Sequence, residues 1–274
     1  MKQTTMHENA TQLRSACCSD RGRVRGNNED NIYFDGQYLD AESDGTEGVL
    51  RADFVIPENT SDKGILFAVF DGVGGSQCGE YASYIAAHTA DAFRDMILDT
   101  ISGDDPEMII TSLDMLYADM NIAVFHGSIE YDAYDMGTTA VSLFFYAGRA
   151  WCSNVGDSRC YLLRNDTLSR ISEDHTTEAA LAALGFVGVK PQLTQFVGMD
   201  PEEVQMVPSH NSIPFAEGDV FLLCSDGPTD MVKEDRIREI LSESDDPAEN
   251  TAKLVETAIE NGGRDNVTVI VIRI

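Results

Sequence analysis

Apolar residues along this chain form short continuous runs that alternate with longer stretches of helical spacing. The run at 65–70 is apolar throughout and predicts a strand buried on both faces. Similar runs predict further strands over 139–146, 149–154, 158–164, 220–224 and 267–274. Turn residues at 147–148 and 156–157 separate three of these strands, and they predict a meander.

The helical stretches come in consecutive pairs. One helix is predicted over 77–99, and a second begins at Asp105, where an N-cap aspartate precedes a proline. Two more are expected after 224, the last beginning at Asp246 and ending at Asn261-Gly262-Gly263. Paired helices favour antiparallel sheets over a parallel βαβ array. The pattern predicts an α+β fold, a four-layer α-β-β-α sandwich of two mainly antiparallel sheets flanked by helices.

The polar segments and the chain length predict how many domains the chain forms and where they begin. Residues 36–63 and about 185–193 predict surface loops, and nothing resembles a linker. We expect one domain over 13–274, preceded by a flexible segment at 1–12. Hydrophobic residues make up 43% of the 274 residues, as is typical of a globular chain.

Charge and cysteine content narrow the class of protein. The net charge is −28, from 47 acidic and 19 basic residues, which argues against nucleic acid or an anionic membrane as the partner. No signal peptide is visible, and no apolar run approaches the roughly 20 residues of a membrane span. The six cysteines form no CxxC pair, so a zinc site is not expected and a reducing cytoplasm is the expected location.

Three aspartates share an unusual placement beside predicted strands. Asp71 directly follows the strand 65–70, Asp226 follows the strand at 220–224 by one residue, and Asp265 precedes the last strand by two. In antiparallel sheets such ends can meet at one edge, and three carboxylates together need cations, for which Mg²⁺ and Mn²⁺ are suited. Each aspartate alone could belong to an ordinary turn; their shared placement favours a metal site.

The segment 20–30 places arginines ahead of acidic residues. Arg25 beside a metal pair could bind two phosphate oxygens in a bidentate fork. The alternative is a solvated basic turn in which Arg23 and Arg25 pair with Glu29 and Asp30. The segment alone does not decide between them.

Taken in order, these motifs resemble the metal-dependent serine/threonine protein phosphatases of the PPM (type 2C) family in their bacterial form. The resemblance covers about Ser15 to Ile274. The matching strings are Gly22-Arg23-Val24-Arg25 with Asn28-Glu29-Asp30, Phe70-Asp71-Gly72-Val73-Gly74-Gly75, Gly137-Thr138-Thr139-Ala140, Asn154-Val155-Gly156-Asp157-Ser158-Arg159, Glu173-Asp174-His175-Thr176, Leu223-Cys224-Ser225-Asp226-Gly227 and Arg264-Asp265-Asn266-Val267-Thr268.

The resemblance implies two core Mg²⁺ or Mn²⁺ ions and assigns their ligands. Asp71 would bridge both ions, and the Gly72 carbonyl would bind the second. Asp226 and Asp265 would complete the first, and Glu29 would support the second, largely through water.

Other roles follow from the same resemblance. Arg25 matches the phosphate-binding arginine, and Asp157, with Asp226 and Asp230, matches a weaker third-metal site. His175 matches a position for which a proton carrier or, more simply, a structural hydrogen-bonding role is implied.

The sequence departs from the family pattern in three places. Val73 stands where some members carry a histidine proposed as general acid, and Pro228 could displace Asp230. The segment from Thr176 to about Leu193 is short for the flap that shapes the substrate groove.

The expected reaction is hydrolysis of phosphoserine and phosphothreonine in proteins by a hydroxide that bridges two metals. Expected partners are phosphorylated proteins and a cognate Ser/Thr kinase, with no nucleic acid and no membrane, and the chain is expected to be a monomer. The alternative is a catalytically weak regulatory protein of the same fold that binds one dedicated partner. Such proteins should lack a metal carboxylate, whereas Asp71, Asp226 and Asp265 are all present. An acidic cation buffer is disfavoured because no EF-hand spacing occurs.

Overall fold

A computed structural model describes residues 10–57, 64–73, 78–101, 104–186, 188–189 and 191–274. Gly74 and Gly75 of the predicted Phe70–Gly75 motif lie outside these residues. The strands are β1 (Ala10–Asp20), β2 (Asp30–Tyr33), β3 (Leu50–Pro57), β4 (Ile65–Val73), β5 (Gly137–Thr138), β6 (Ala140–Tyr146), β7 (Arg149–Val155), β8 (Arg159–Arg164), β9 (Thr167–Arg170), β10 (Ser209–Pro214), β11 (Val220–Cys224) and β12 (Val267–Arg273). The helices are α1 (Gly79–Thr100), α2 (Pro106–Glu130), α3 (Glu178–Ala183), α4 (Asp226–Met231), α5 (Glu234–Glu243) and α6 (Pro247–Glu260).

The strands form two antiparallel sheets that pack face to face. Sheet 1 has the order β3-β1-β12-β11-β8-β9, and sheet 2 has the order β10-β7-β6-β4-β2, with β5 added beside β4. Helices α1 and α2 cover the outer face of sheet 2, while α5 and α6 cover that of sheet 1. The predicted four-layer sandwich is confirmed.

The strand β12 shows why these runs are apolar at nearly every position. Ile270 and Ile272 pack into the cluster between the sheets, whereas Val269 and Val271 pack against the outer helices. A strand between two covered faces exposes neither, so each apolar side chain loses its water contact and contributes roughly 1.5–3 kcal/mol.

Two sequence predictions about the strands are wrong in part. The loop predicted over 36–63 contains the edge strand β3, in which half-buried Leu50, Ala52 and Phe54 alternate with exposed residues. The three-strand meander fails because β6 and β7 form a hairpin but β8 pairs with β11 and β9 in the other sheet. Gly156, at φ 98°, lies where the chain crosses between sheets.

The folded domain also begins earlier in the chain than the sequence predicts. Residues 10–12 were predicted to be flexible, but they belong to β1, where Ala10 pairs with Pro57 and Gln12 with Val55. Residues 1–9 lie outside the described part of the chain.

Helix α2 is long and apolar enough to cross a membrane by length and composition alone. Its N-cap is Asp105, as predicted, and the carboxylate accepts a hydrogen bond from Glu107 N at 3.0 Å. The apolar composition has a simple cause, because Leu113, Tyr117 and Val124 lie in the core cluster between this helix and sheet 2.

Candidate functional site

The predicted carboxylates meet in one cavity of about 680 Å³ at an edge of both sheets. Asp71 lies near the end of β4, Asp226 is the first residue of α4, and Asp265 lies two residues before β12. The lining residues are Arg25, Glu29, Asp71, Gly72, Val73, Asp135, Thr139, Asp157, Pro191, Gln192, Leu193, Phe196, Asp226 and Asp265.

The backbone around Asp71 is fixed from both sides. Its N–H donates to Thr139 Oγ1 at 3.1 Å, and its carbonyl accepts from Thr139 N at 2.8 Å and from Thr138 Oγ1 at 3.0 Å. Thr139 Oγ1 in turn lies 2.6 Å from Ser158 Oγ. Because the main chain is held, the Asp71 carboxylate is presented to the cavity without a mobile loop.

Glycine is required at position 72 by close packing. A Cβ built there would lie 2.3 Å from the Gly79 carbonyl oxygen and 2.6 Å from that of Glu29. The Gly72 N–H donates to the same Glu29 carbonyl at 3.0 Å. These contacts bring the segment that carries Glu29 beside β4, at the cavity wall.

Arg25 is the cation of this cluster, and it binds carboxylates. Its Nη2 lies 2.7 Å from Asp265 Oδ2 and its Nη1 lies 3.6 Å from Glu29 Oε2. The pairing with Glu29 that the sequence left open is therefore present, but the nearer partner is Asp265. The hydrogen bond to Asp265 raises the pKa of Arg25, so its charge is secure. A dianionic phosphate entering the cavity would compete with Asp265 for this guanidinium.

The remaining carboxylates have no cation of their own. Among the described groups, the Asp71 and Asp226 carboxylates accept no hydrogen bond and form no ion pair, and both side chains are half-buried. Burial first, and then repulsion from Asp30, raises the pKa of Asp71 well above its usual range. Burial, followed by repulsion from Asp157 and Asp265, raises the pKa of Asp226 to about 8.

Asp30 is a member of this cluster that the sequence interpretation left without a role. It pairs across the strands with Asp71, is buried, and accepts a hydrogen bond from Ser225 Oγ at 2.7 Å. Burial raises its pKa to about 7. A sequence signal for this role exists. Asp30 is the first residue of a short strand directly after Glu29, and the alternation of side chains along a strand turns it toward the core.

This donor set fits divalent cations that prefer oxygen ligands. Asp71, Asp226 and Asp265 offer carboxylates, and Gly72 lines the same cavity; Mg²⁺ and Mn²⁺ are suited to carboxylate and carbonyl oxygens. In the described part of the chain no three acidic, histidine or cysteine side chains converge tightly enough to count as a finished metal site.

Of the two residues predicted for a third metal, Asp157 lies in the cavity and Asp230 does not. Asp157 lines the cavity, and burial, followed by the neighbouring Asp174 charge, raises its pKa. Asp230 is exposed and does not line the cavity, although its charge adds to the raised pKa of Asp226. Pro228 is buried in α4 at the turn that carries Asp230.

His175 has a structural position. Its Nδ1 accepts from Gly156 N at 3.2 Å, so the proton lies on Nε2, which donates to Ser209 Oγ at 2.9 Å. Burial lowers its pKa. It does not line the cavity but fixes the crossing that carries Asp157.

The wall opposite the carboxylates comes from the short flap. Gln192 and Leu193 line the cavity and are tied to the flap's other end, since Thr177 N donates to Gln192 O at 2.9 Å and Leu193 bridges to Thr176. Phe196 packs over Gly137, where a Cβ would lie 2.4 Å from the ring. The sequence assigned none of these residues to the site.

Comparison with known proteins identifies the family. The sequence profile of protein phosphatase 2C matches residues 41–181. The chain is 31% identical to the serine/threonine phosphatase stp of Listeria innocua over 265 residues, which cover 93% of each protein. The chain belongs to the protein phosphatase 2C family.

Other relatives agree with this assignment. The serine/threonine protein phosphatase PstP of Mycobacterium tuberculosis is 32% identical over 94% of this phosphatase, which spans only 44% of PstP. The crystal structure of a PstP catalytic domain in complex with two manganese ions superposes with a TM-score of 0.72, at 30% identity, over 96% of this chain and 99% of that one.

The family assignment confirms the sequence-based resemblance and the expected use of Mg²⁺ or Mn²⁺ as two core ions. It confirms the class of enzyme, a serine/threonine protein phosphatase. The individual roles of the site residues stay predictions: those of Arg25, Glu29, Asp71, Gly72, Asp157, Asp226, Asp230 and Asp265.

Proposed function

We propose that this phosphatase hydrolyses phosphoserine and phosphothreonine in proteins that a partner serine/threonine kinase has phosphorylated, and that it acts in cytoplasmic signalling. The single observation that carries the catalytic part is the cavity in which Asp71, Asp226 and Asp265 converge beside Arg25. Phosphoprotein substrates follow from the family. The six unpaired cysteines, all among the described residues, support a reducing compartment.

The protein's own groups divide the work between cation binding and phosphate binding. Asp71, Asp226 and Asp265 would hold the ions, with the Gly72 carbonyl beside them and Glu29 in support. When bound, the ions supply Lewis acidity toward the phosphate oxygens and activate water. Arg25, which pairs with Asp265 in the structure, would exchange that carboxylate for phosphate oxygens and so neutralise charge that grows in the transition state.

The leaving group would take its proton from water, because position 73 offers no donor. Val73 lines the cavity and has no proton to donate. No cysteine lines the cavity among the described residues, so nothing there favours a thiol phosphoenzyme. Direct attack by water is the simplest chemistry that this site allows.

The test is hydrolysis of an aryl phosphate and of a phosphothreonine peptide in Mn²⁺, in Mg²⁺ and after a chelator. We expect turnover of both substrates with metal and a loss of at least a hundredfold after chelation. Full activity in chelator would overturn the assignment. The regulatory alternative predicts metal-independent binding of a partner with little turnover of either substrate.

A further inference from the structure

Asp135 is an acidic residue of the active-site cavity that neither metal binding nor phosphate binding uses. It lies between the end of α2 and β5, is exposed, and lines the same cavity as Arg25 and Asp71. Among the described residues it makes no hydrogen bond and no ion pair. Its charge is therefore available to a ligand in the cavity.

The chain limits how far Asp135 can lie from Thr139, the residue that holds the Asp71 backbone. Val73 pairs with Gly137, and Thr139 holds the backbone of Asp71. Asp135 precedes Thr139 by four residues, and four extended residues span at most about 14 Å. A phosphorylated residue at the carboxylates would therefore place its near neighbours in the peptide within reach of Asp135.

The backbone around Asp135 is held in place. Ala133 N donates to Ser128 O at 2.8 Å, and Met136 N donates to Ala133 O at 2.9 Å. The Tyr131 ring packs on Tyr81 with centroids 4.7 Å apart. A carboxylate on a fixed segment loses little conformational entropy when it pairs with a ligand, so it can discriminate between ligands.

The residues after Thr176 add apolar side chains to the cavity lining. Leu193 and Phe196 line the cavity, and Val197 exchanges backbone hydrogen bonds with Thr138 at 2.8 and 2.9 Å. The cavity thus offers a peptide an apolar surface and one carboxylate outside the metal cluster.

We propose that Asp135 is a specificity-determining residue that selects phosphoproteins carrying a lysine or arginine within three residues of the phosphorylated side chain. The proposal rests on the proposed phosphatase function and names its substrate class. An acidic residue beside the phosphorylated one is disfavoured at this wall by like-charge repulsion.

The experiment compares three phosphothreonine peptides that differ only in flanking lysine, alanine or glutamate residues. The kcat/KM of each is divided by that of an aryl phosphate, which has no flanking residue. Wild type is expected to prefer the lysine peptide over the glutamate peptide by about tenfold, and Asp135→Asn should reduce this preference to about twofold. Asp135→Lys should reverse it.

Asp132→Asn is the matched control. Asp132 is exposed on the same segment but does not line the cavity, and asparagine tolerates its φ of 53°. This variant should keep the wild-type preference. A preference unchanged in Asp135→Asn, or equally reduced in Asp132→Asn, would overturn the proposal. Failure to hydrolyse any peptide or the aryl phosphate with Mn²⁺ would instead overturn the phosphatase function.

Discussion

Carboxylates in two regions of this molecule are enclosed by protein but neutralised in different ways. Outside the site, Asp219 is 2% exposed and lies 2.6 Å from Arg164, and Asp174 is 9% exposed and lies 2.7 Å from both Arg159 and Arg170. Each structural aspartate therefore carries its own guanidinium.

Asp71, Asp226 and the neighbouring Asp30 have no guanidinium partner, whereas Asp265 pairs with Arg25 at 2.7 Å. Asp71 and Asp226 have neither a hydrogen bond nor an ion pair with a described group, and Asp30 has only hydroxyl partners. Their pKa values are raised by burial and mutual repulsion. Arginine side chains thus neutralise Asp219 and Asp174, whereas the charges of Asp71 and Asp226 are left to the metal ions that we propose they bind.

The largest effect should come from removing a cavity carboxylate. Asp226→Asn is expected to lower kcat on an aryl phosphate at saturating Mn²⁺ by at least about a thousandfold, because a core cation loses a charged ligand. Asp235→Asn, at an exposed aspartate of α5 that does not line the cavity, is the control and should stay within about threefold of wild type. Activity of Asp226→Asn within tenfold of wild type would contradict the assignment.

Removing a structural carboxylate should instead affect stability. Asp174→Asn leaves Arg159 and Arg170 without their shared partner, so the free energy of unfolding should fall by about 2–3 kcal/mol. The measurement is urea unfolding of the metal-free protein. Asp166→Asn breaks only the exposed pair with Arg238 and should cost less than about 1 kcal/mol. Equal free energies of unfolding for the two variants would show that the ion pairs of Asp174 do not stabilise the fold.

Arg25 belongs to both sides of this comparison, since it is an arginine that lies among the cavity carboxylates. Arg25→Ala should raise KM for a phosphopeptide by about tenfold, because a charge-assisted hydrogen bond to phosphate is lost. The apparent affinity for Mn²⁺ should not weaken, because Asp265 is freed. Arg23→Ala, also exposed, serves as the control. An unchanged KM would show that Arg25 serves only Asp265.

Asp157 should show the smallest effect. It lines the cavity beside the core carboxylates, and a weaker accessory cation is its predicted ligand. Asp157→Asn should change kcat on an aryl phosphate by no more than about threefold and on a phosphopeptide by more. The Mn²⁺ dependence of kcat on both substrates measures this. Wild-type behaviour throughout would mean that Asp157 only caps its turn.

The sequence was most informative where apolar runs end abruptly. The runs before Asp71 and Asp226 predict strands, and antiparallel pairing brings their ends together, so the core of the site follows from pattern and chemistry. The strand β3 was missed although Leu50, Ala52, Phe54 and Ile56 alternate with Arg51, Asp53 and Val55, because its polar surroundings suggested a loop.

Three other features of the site depend on tertiary packing, which short sequence patterns do not predict. A Gly-Asp turn at 156–157 looks the same whether it closes a hairpin or crosses between sheets. The partner of Arg25 at Asp265 is 240 residues away. The wall formed by Leu193 and Phe196 depends on a flap whose path is set by contacts with Thr177 and Gly137.

The most direct test of the central claim is thermal unfolding of wild type and Asp71→Asn, each in chelator and in Mn²⁺. In chelator, Asp71→Asn should unfold at the higher temperature, because it removes a charge that repels Asp30 and Asp226. Mn²⁺ at about 100 times its Kd should stabilise wild type by about 2.7 kcal/mol, and the variant far less. Wild type unaffected by Mn²⁺, or a variant less stable than wild type in chelator, would contradict the claim that these carboxylates are kept for metal ions.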